Sequence, residues 1–214
     1  MRILLIFSIG LFCLLSCKDE SGQNVSEEAQ DEMADSNAVV DNSAAEVSKN
    51  ANFQAINISP EVMFVKGSEM ILTNKDMVPL PGPGSDTTVI FLARHGQREE
   101  GRTSLSQMGR MQSSRLANIL GESEIKTFYW ADNAGMQTGF HAAGANEAEL
   151  LNYNAQDLGS FVNTIKKNDS GSRVVIVGDI ISVPEVMNRF LDGGPFQTLG
   201  IEDYNTLYIL IMKG

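Results

Sequence analysis

Beyond residue 51 the apolar positions follow two rhythms that alternate along the chain. Val89-Ile90-Phe91-Leu92-Ala93 is an unbroken apolar run that stops at Arg94-His95-Gly96. It is too short for a helix, and its β-branched and aromatic content predicts a central strand covered on both faces. Such a strand delivers Arg94 and His95 to its carboxyl end, where open α/β sheets take their ligands. Residues 174–177, ending at Gly178-Asp179, repeat the pattern, and residues 125–130 and 207–212 predict two more strands. Between these runs the period lengthens. Met108, Met111, Leu116, Ile119 and Leu120 form a helical stripe behind the capping residue Ser106 and before Gly121. Residues 133–143 predict a second helix, and residues 156–167 a third, with Leu158, Phe161, Val162 and Ile165 on one face. Pro184 helps start a fourth, which carries Val186, Met187 and Phe190. Alternating strands and helices predict an α/β domain over residues 87–214, three-layered α/β/α with a mostly parallel sheet.

Ahead of this domain the pattern changes twice. Residues 61–65 and 69–73 flank Lys66-Gly67-Ser68 and predict a hairpin, followed by a stretch broken by Pro79, Pro81, Pro83, Gly82 and Gly84. This extension, residues 52–86, is too small to fold alone and is expected to pack on an edge of the main domain. Residues 18–51 carry no aromatic residue, and their one apolar pair is Val39-Val40. A segment of that composition cannot bury enough surface to offset its ordering entropy, and it reads as a disordered acidic tether. Nine acidic residues against Lys18 and Lys49 give it −7 of the chain's −11. The balance is acidic in both parts, which excludes a nucleic-acid surface.

Met1-Arg2 and the apolar run at 3–15 have the form of a secretory signal, residues 1–16, too short to span a membrane comfortably. Leu14-Leu15-Ser16-Cys17 resembles the bacterial lipoprotein box, in which the cysteine becomes the acylated first residue. Cys17 is then a lipid anchor, and the expected location is the bacterial envelope, on the outer membrane or at the cell surface. A plain signal peptide with an incidental cysteine is the alternative. Lys18-Asp19-Glu20 resembles a surface-export signal of some Bacteroidetes lipoproteins, and it also fits the bland start of an acidic linker. Cys13 would leave with the signal, so no disulfide forms within the mature chain.

Four motifs in the main domain carry a resemblance. They are the strand with Arg94-His95-Gly96, then Leu105-Ser106-x-x-Gly109, then Gln137-Thr138, then Val174-Val175-Ile176-Val177-Gly178 with Pro184. In this order they resemble the histidine phosphatase superfamily, also called phosphoglycerate-mutase-like. The tail, Glu202-Asp203-Tyr204-Asn205-x-Leu207-Tyr208, is similar to that of its small bacterial members. The resemblance implies a phosphohydrolase with His95 as nucleophile, forming a phosphohistidine and so dividing one hard hydrolysis into two easier steps. It also implies a ring of cations around the phosphoryl group, because charge stabilisation is most of phosphoryl-transfer catalysis. Arg94 is one member of that ring.

The other members are missing. Counting back three from Gln137 puts Ala134 where the second arginine belongs, with Asn133 or Gly135 as one-residue slips, and Asp179 stands where a second histidine should follow Gly178. A carboxylate there would repel phosphate by roughly 4 kcal/mol at about 4 Å and an effective dielectric near 20. Asp179 is therefore expected to pair, with Arg94 as its partner. Among the charges of the following loop, Arg98, Glu99, Glu100 and Arg102, the candidate to supply lost positive charge is Arg102. His141 lies inside a helix and is not expected to substitute for the missing histidine. No metal site or cofactor is expected. The departures favour a binding or assembly module with a vestigial anion site over an active phosphohydrolase, and either over a domain with no ligand. The expected partners are the membrane, through lipid on Cys17, and a phosphate-bearing ligand or a protein.

Overall fold

The computed structural model describes residues 61–213 and two further strands at 3–8 and 55–58. Its main sheet has seven strands. Their spatial order is β2 (Ala55–Ile58), β1 (Ile3–Ser8), β10 (Thr206–Lys213), β6 (Thr87–Arg94), β9 (Arg173–Gly178), β7 (Thr127–Trp130), β8 (Glu149–Asn152). β6, β9, β7 and β8 are mutually parallel, and β10 runs antiparallel to β6. β1 lies along the other side of β10, from Ile3 opposite Ile211 to Ser8 opposite Thr206, within the stretch that reads as a signal. Cys17 and the acidic tether lie outside the described residues.

Helices α1 (Gln107–Leu120) and α2 (Asn133–Ala145) cover one face of the sheet, and α3 (Leu158–Asn168) and α4 (Ser182–Phe190) the other. The strands show why. Val89, Phe91 and Ala93 of β6 point to the α1 and α2 side, while Ile90 and Leu92 point to the α3 and α4 side, and all five are buried. β9 splits in the same way, with Val175 and Val177 on one side and Val174 and Ile176 on the other. An apolar run without alternation is what such two-sided burial selects, so the fold is the α/β/α arrangement that the runs predict.

The extension forms the expected hairpin and adds a third strand. β3 (Val62–Lys66), β4 (Glu69–Leu72) and β5 (Met77–Pro79) make an antiparallel meander, with Gly67 at φ 51° in the first turn. It packs on the main domain over a helix. Val62, Val65, Met70, Leu72 and Leu80 pack with Leu116, Ile119 and Leu120, so the meander covers α1. A buried cation fastens the meander from within. Arg173, only 1% exposed, donates to the carbonyls of Pro81 (3.1 and 2.7 Å), Ser123 (2.8 Å) and Gly67. β8 leaves no signal in the sequence, because this edge strand is mostly exposed and its four residues have no apolar rhythm.

Candidate functional site

β6 ends where predicted, and His95 follows it at the centre of the sheet's carboxyl edge, with its amide bonded to Gly178 O at 2.8 Å. The imidazole is 6% exposed, and its Nδ1 lies 2.8 Å from Gly96 O. A carbonyl only accepts, so Nδ1 carries the proton and Nε2 keeps the lone pair. Nε2 has no hydrogen-bond partner among the described residues. Burial, with Arg98 and Arg94 nearby, pushes the imidazole's pKa down against the opposing pull of the Gly96 carbonyl and Asp132, so the ring is neutral near pH 7. An anchored imidazole whose other nitrogen keeps a free lone pair is what a nucleophile toward phosphorus requires.

The turn beyond His95 is held by close backbone packing. A Cβ on Gly96 would lie 2.7 Å from Gly109 O, and one on Gly109 would lie 2.1 Å from Gln97 O, so neither glycine has room for a side chain. Gly96 N also donates to Thr138 Oγ1 (2.8 Å), Leu105 N to Gln137 Oε1 (3.0 Å), and Ser106 N to Gln97 O (2.8 Å). Ser106 caps α1 as predicted, accepting from Gly109 N at 3.1 Å. The Leu-Ser-x-x-Gly and Gln-Thr motifs thus brace the His95 turn.

Arg94 is buried and does not pair with Asp179, contrary to the sequence expectation. Its Nη1 donates to Gly200 O (3.2 Å) and Ile201 O (2.6 Å), and its guanidinium lies 3.7 Å from the centre of the Tyr204 ring. The segment after α4 therefore engages one end of the guanidinium through carbonyls and a π face. Its Nε is buried with no hydrogen-bond partner.

Asp179 is occupied in another way. Its Oδ1 accepts from Ile181 N (2.9 Å) and Ser182 N (2.6 Å), and Ser182 Oγ accepts from Asp179 N (2.8 Å). This is a reciprocal capping box, Asp-x-x-Ser, and it opens α4 where Ile181 provides no side-chain cap. Burial works to raise the carboxyl's pKa, but the bonds from Ser182 and Ile181 outweigh it and hold the pKa below the ordinary value of 3.8. Asp179 is thus an anion near His95. Behind it, burial pushes the Tyr153 phenol up to about 12.

Ala134 is fully buried in the first turn of α2, its carbonyl accepting from Thr138 Oγ1 at 2.7 Å, and it brings no charge to the site. Nor does Arg102 replace the lost charge, as expected from the sequence. Its side chain is 73% exposed and pairs with Glu99 at 3.5 Å. His141 is exposed on α2, against the Phe140 ring. Of the loop's cations it is Arg98 whose charge acts on His95, and the sequence does not single it out from its neighbours. Its Nη2 is bonded to Asp132 Oδ2, while Asp132 Oδ1 caps α2 by accepting from Gly135 N at 2.8 Å. Arg98 Nε, like Arg94 Nε, is buried without a partner.

No protein-family model and no curated protein sequence matches this chain. Solved structures do. SixA of Nakamurella multipartitia, named as a phosphohistidine phosphatase, is 18% identical over 62% of this chain and 88% of its own, with a TM-score of 0.43. A mycobacterial glucosyl-3-phosphoglycerate phosphatase is 11% identical over 56% of this chain and 88% of its own, with a TM-score of 0.46. A protein histidine phosphatase SixA solved with tungstate is 16% identical over 47% and 74%, with a TM-score of 0.39. All three are phosphatases by name.

Proposed function

We propose that this chain is an envelope lipoprotein, anchored through Cys17, whose histidine phosphatase-like domain binds an oxyanion at His95 without turning it over. It acts as a binding or assembly module. The observation that carries this reading is Asp179, a carboxylate held ionised by hydrogen bonds from the Ile181 and Ser182 amides in a helix cap, at the position where the resemblance calls for a cation. Charge reversal there removes transition-state stabilisation, and Ala134 supplies no charge from α2. Two buried guanidinium N–H groups without acceptors, on Arg94 and Arg98, support retained anion binding, since a buried donor left unsatisfied costs about 1–3 kcal/mol.

A second reading is favoured by His95 itself. Its anchored Nδ1 and free Nε2 suit an active phosphomonoester hydrolase with a rearranged pocket. One assay separates the two. The full chain, purified in detergent, is expected to show no hydrolysis of a generic phosphomonoester beyond that of its His95→Ala variant, while still binding inorganic phosphate. Robust hydrolysis abolished by His95→Ala would establish the second reading in place of the first.

A further inference from the structure

We infer that Arg98 is the second cationic arm of the His95 pocket, replacing from the loop the arginine that α2 lacks, so that an oxyanion is gripped between Arg94 Nε–H and Arg98 Nε–H. This rests on the reading of the pocket as an anion site and adds the residue that completes it.

Three features place Arg98 there. Its outer nitrogen is tied to Asp132, the residue that caps α2 two positions before Ala134, so the guanidinium is held at the helix end where the lost arginine would have begun. Both unpartnered buried side-chain donors among the described residues belong to arginines beside His95, and in both the unmet group is Nε. A guanidinium tied down at Nη with Nε–H free is preorganised for a tetrahedral oxyanion, because its side-chain entropy has already been lost. The other cations in and beside the loop are committed elsewhere. Arg102 and Arg110 face Glu99 at 3.5 and 3.9 Å on the exposed side. The charges of Arg98 and Arg94 act to lower the His95 pKa and that of Asp132 to raise it, with Asp179 on the α4 side, so loss of the Arg98 charge is read on the ring.

The test uses the full chain in detergent, inorganic phosphate as probe, calorimetry for affinity and nuclear magnetic resonance for the His95 titration in phosphate-free buffer. Arg98→Gln is expected to weaken phosphate binding at least tenfold and to raise the His95 pKa, whereas Arg102→Gln is expected to change affinity less than about twofold. Arg98→Lys keeps the charge and the Asp132 partner but loses Nε–H. It too is expected to weaken binding, and it guards against a folding defect in the glutamine variant. If wild type binds phosphate and both Arg98 variants bind equally well, the assignment of Arg98 is overturned while the anion site stands. If wild type binds no phosphate at millimolar concentration, the anion site and the role of Arg98 fall together.

Discussion

Replacing Asp179 distinguishes its work as a helix cap from its effect as a charge. Asp179→Ala removes the oxygen that satisfies the amides of Ile181 and Ser182. Loss of a side-chain cap costs about 0.5–2 kcal/mol. In a domain of this size each kcal/mol moves Tm by about 2–4 °C, so the alanine variant is expected to melt roughly 2–6 °C below wild type at pH 7. Asp179→Asn keeps an acceptor oxygen in place and is expected to fall by less than about 2 °C. The carboxyl's folded pKa lies below its ordinary 3.8, so its contribution is present above that value and lost as pH falls through the folded pKa. Differential scanning calorimetry from pH 7 downward should therefore show the wild type and the asparagine variant converging below pH 3.8. Both variants should bind phosphate more tightly, because one carboxylate's repulsion across a partly solvated pocket is on the order of 1 kcal/mol. An asparagine variant as unstable as the alanine variant at pH 7, with phosphate affinity unchanged in both, would refute both the cap and the charge assigned to Asp179.

Two further outcomes are expected. Arg173→Met leaves the carbonyls of Pro81, Gly67 and Ser123 without their donor and should cost about 3–5 kcal/mol, read as a fall in Tm of about 10 °C by thermal unfolding; a shift below about 2 °C would show that the buried clamp is dispensable. Wild-type protein from a bacterial host should partition into detergent and carry lipid mass on Cys17, while Cys17→Ser should not; a soluble wild-type protein beginning elsewhere would remove the anchor from the proposal.

The layers were legible because two-sided burial imprints itself on β6 and β9 as unbroken apolar runs, and helices on the sheet's faces leave stripes. The position of His95 followed from the same rule about strand ends. What the sequence hid was where long charged side chains turn. Arg94 is taken by carbonyls of the segment after α4, a contact across more than a hundred residues with no local signature. Choosing between Arg98 and Arg102 depends on Asp132, at the far end of β7. Asp179 was readable: Asp-x-x-Ser ahead of an apolar stripe is a capping signal, and weighing it against the charge reversal would have favoured the cap over a partnership with Arg94. β8 offered no such signal, since an exposed edge strand of four residues is set by its neighbour rather than by its own pattern.

The glycine contact between Gly96 and Gly109 separates what can drift from what cannot. Each end of the intervening loop is clamped, by Thr138 at Gly96 and by Gln137 and Gln97 at the start of α1. Insertions or exchanges between Arg98 and Ser104 therefore leave the imidazole in place and alter only what faces it. Under such an arrangement the charge around His95 can be rewritten by changes within one short loop, with no adjustment of the core. A chain of this design is suited to diverge in ligand preference while its fold stays fixed.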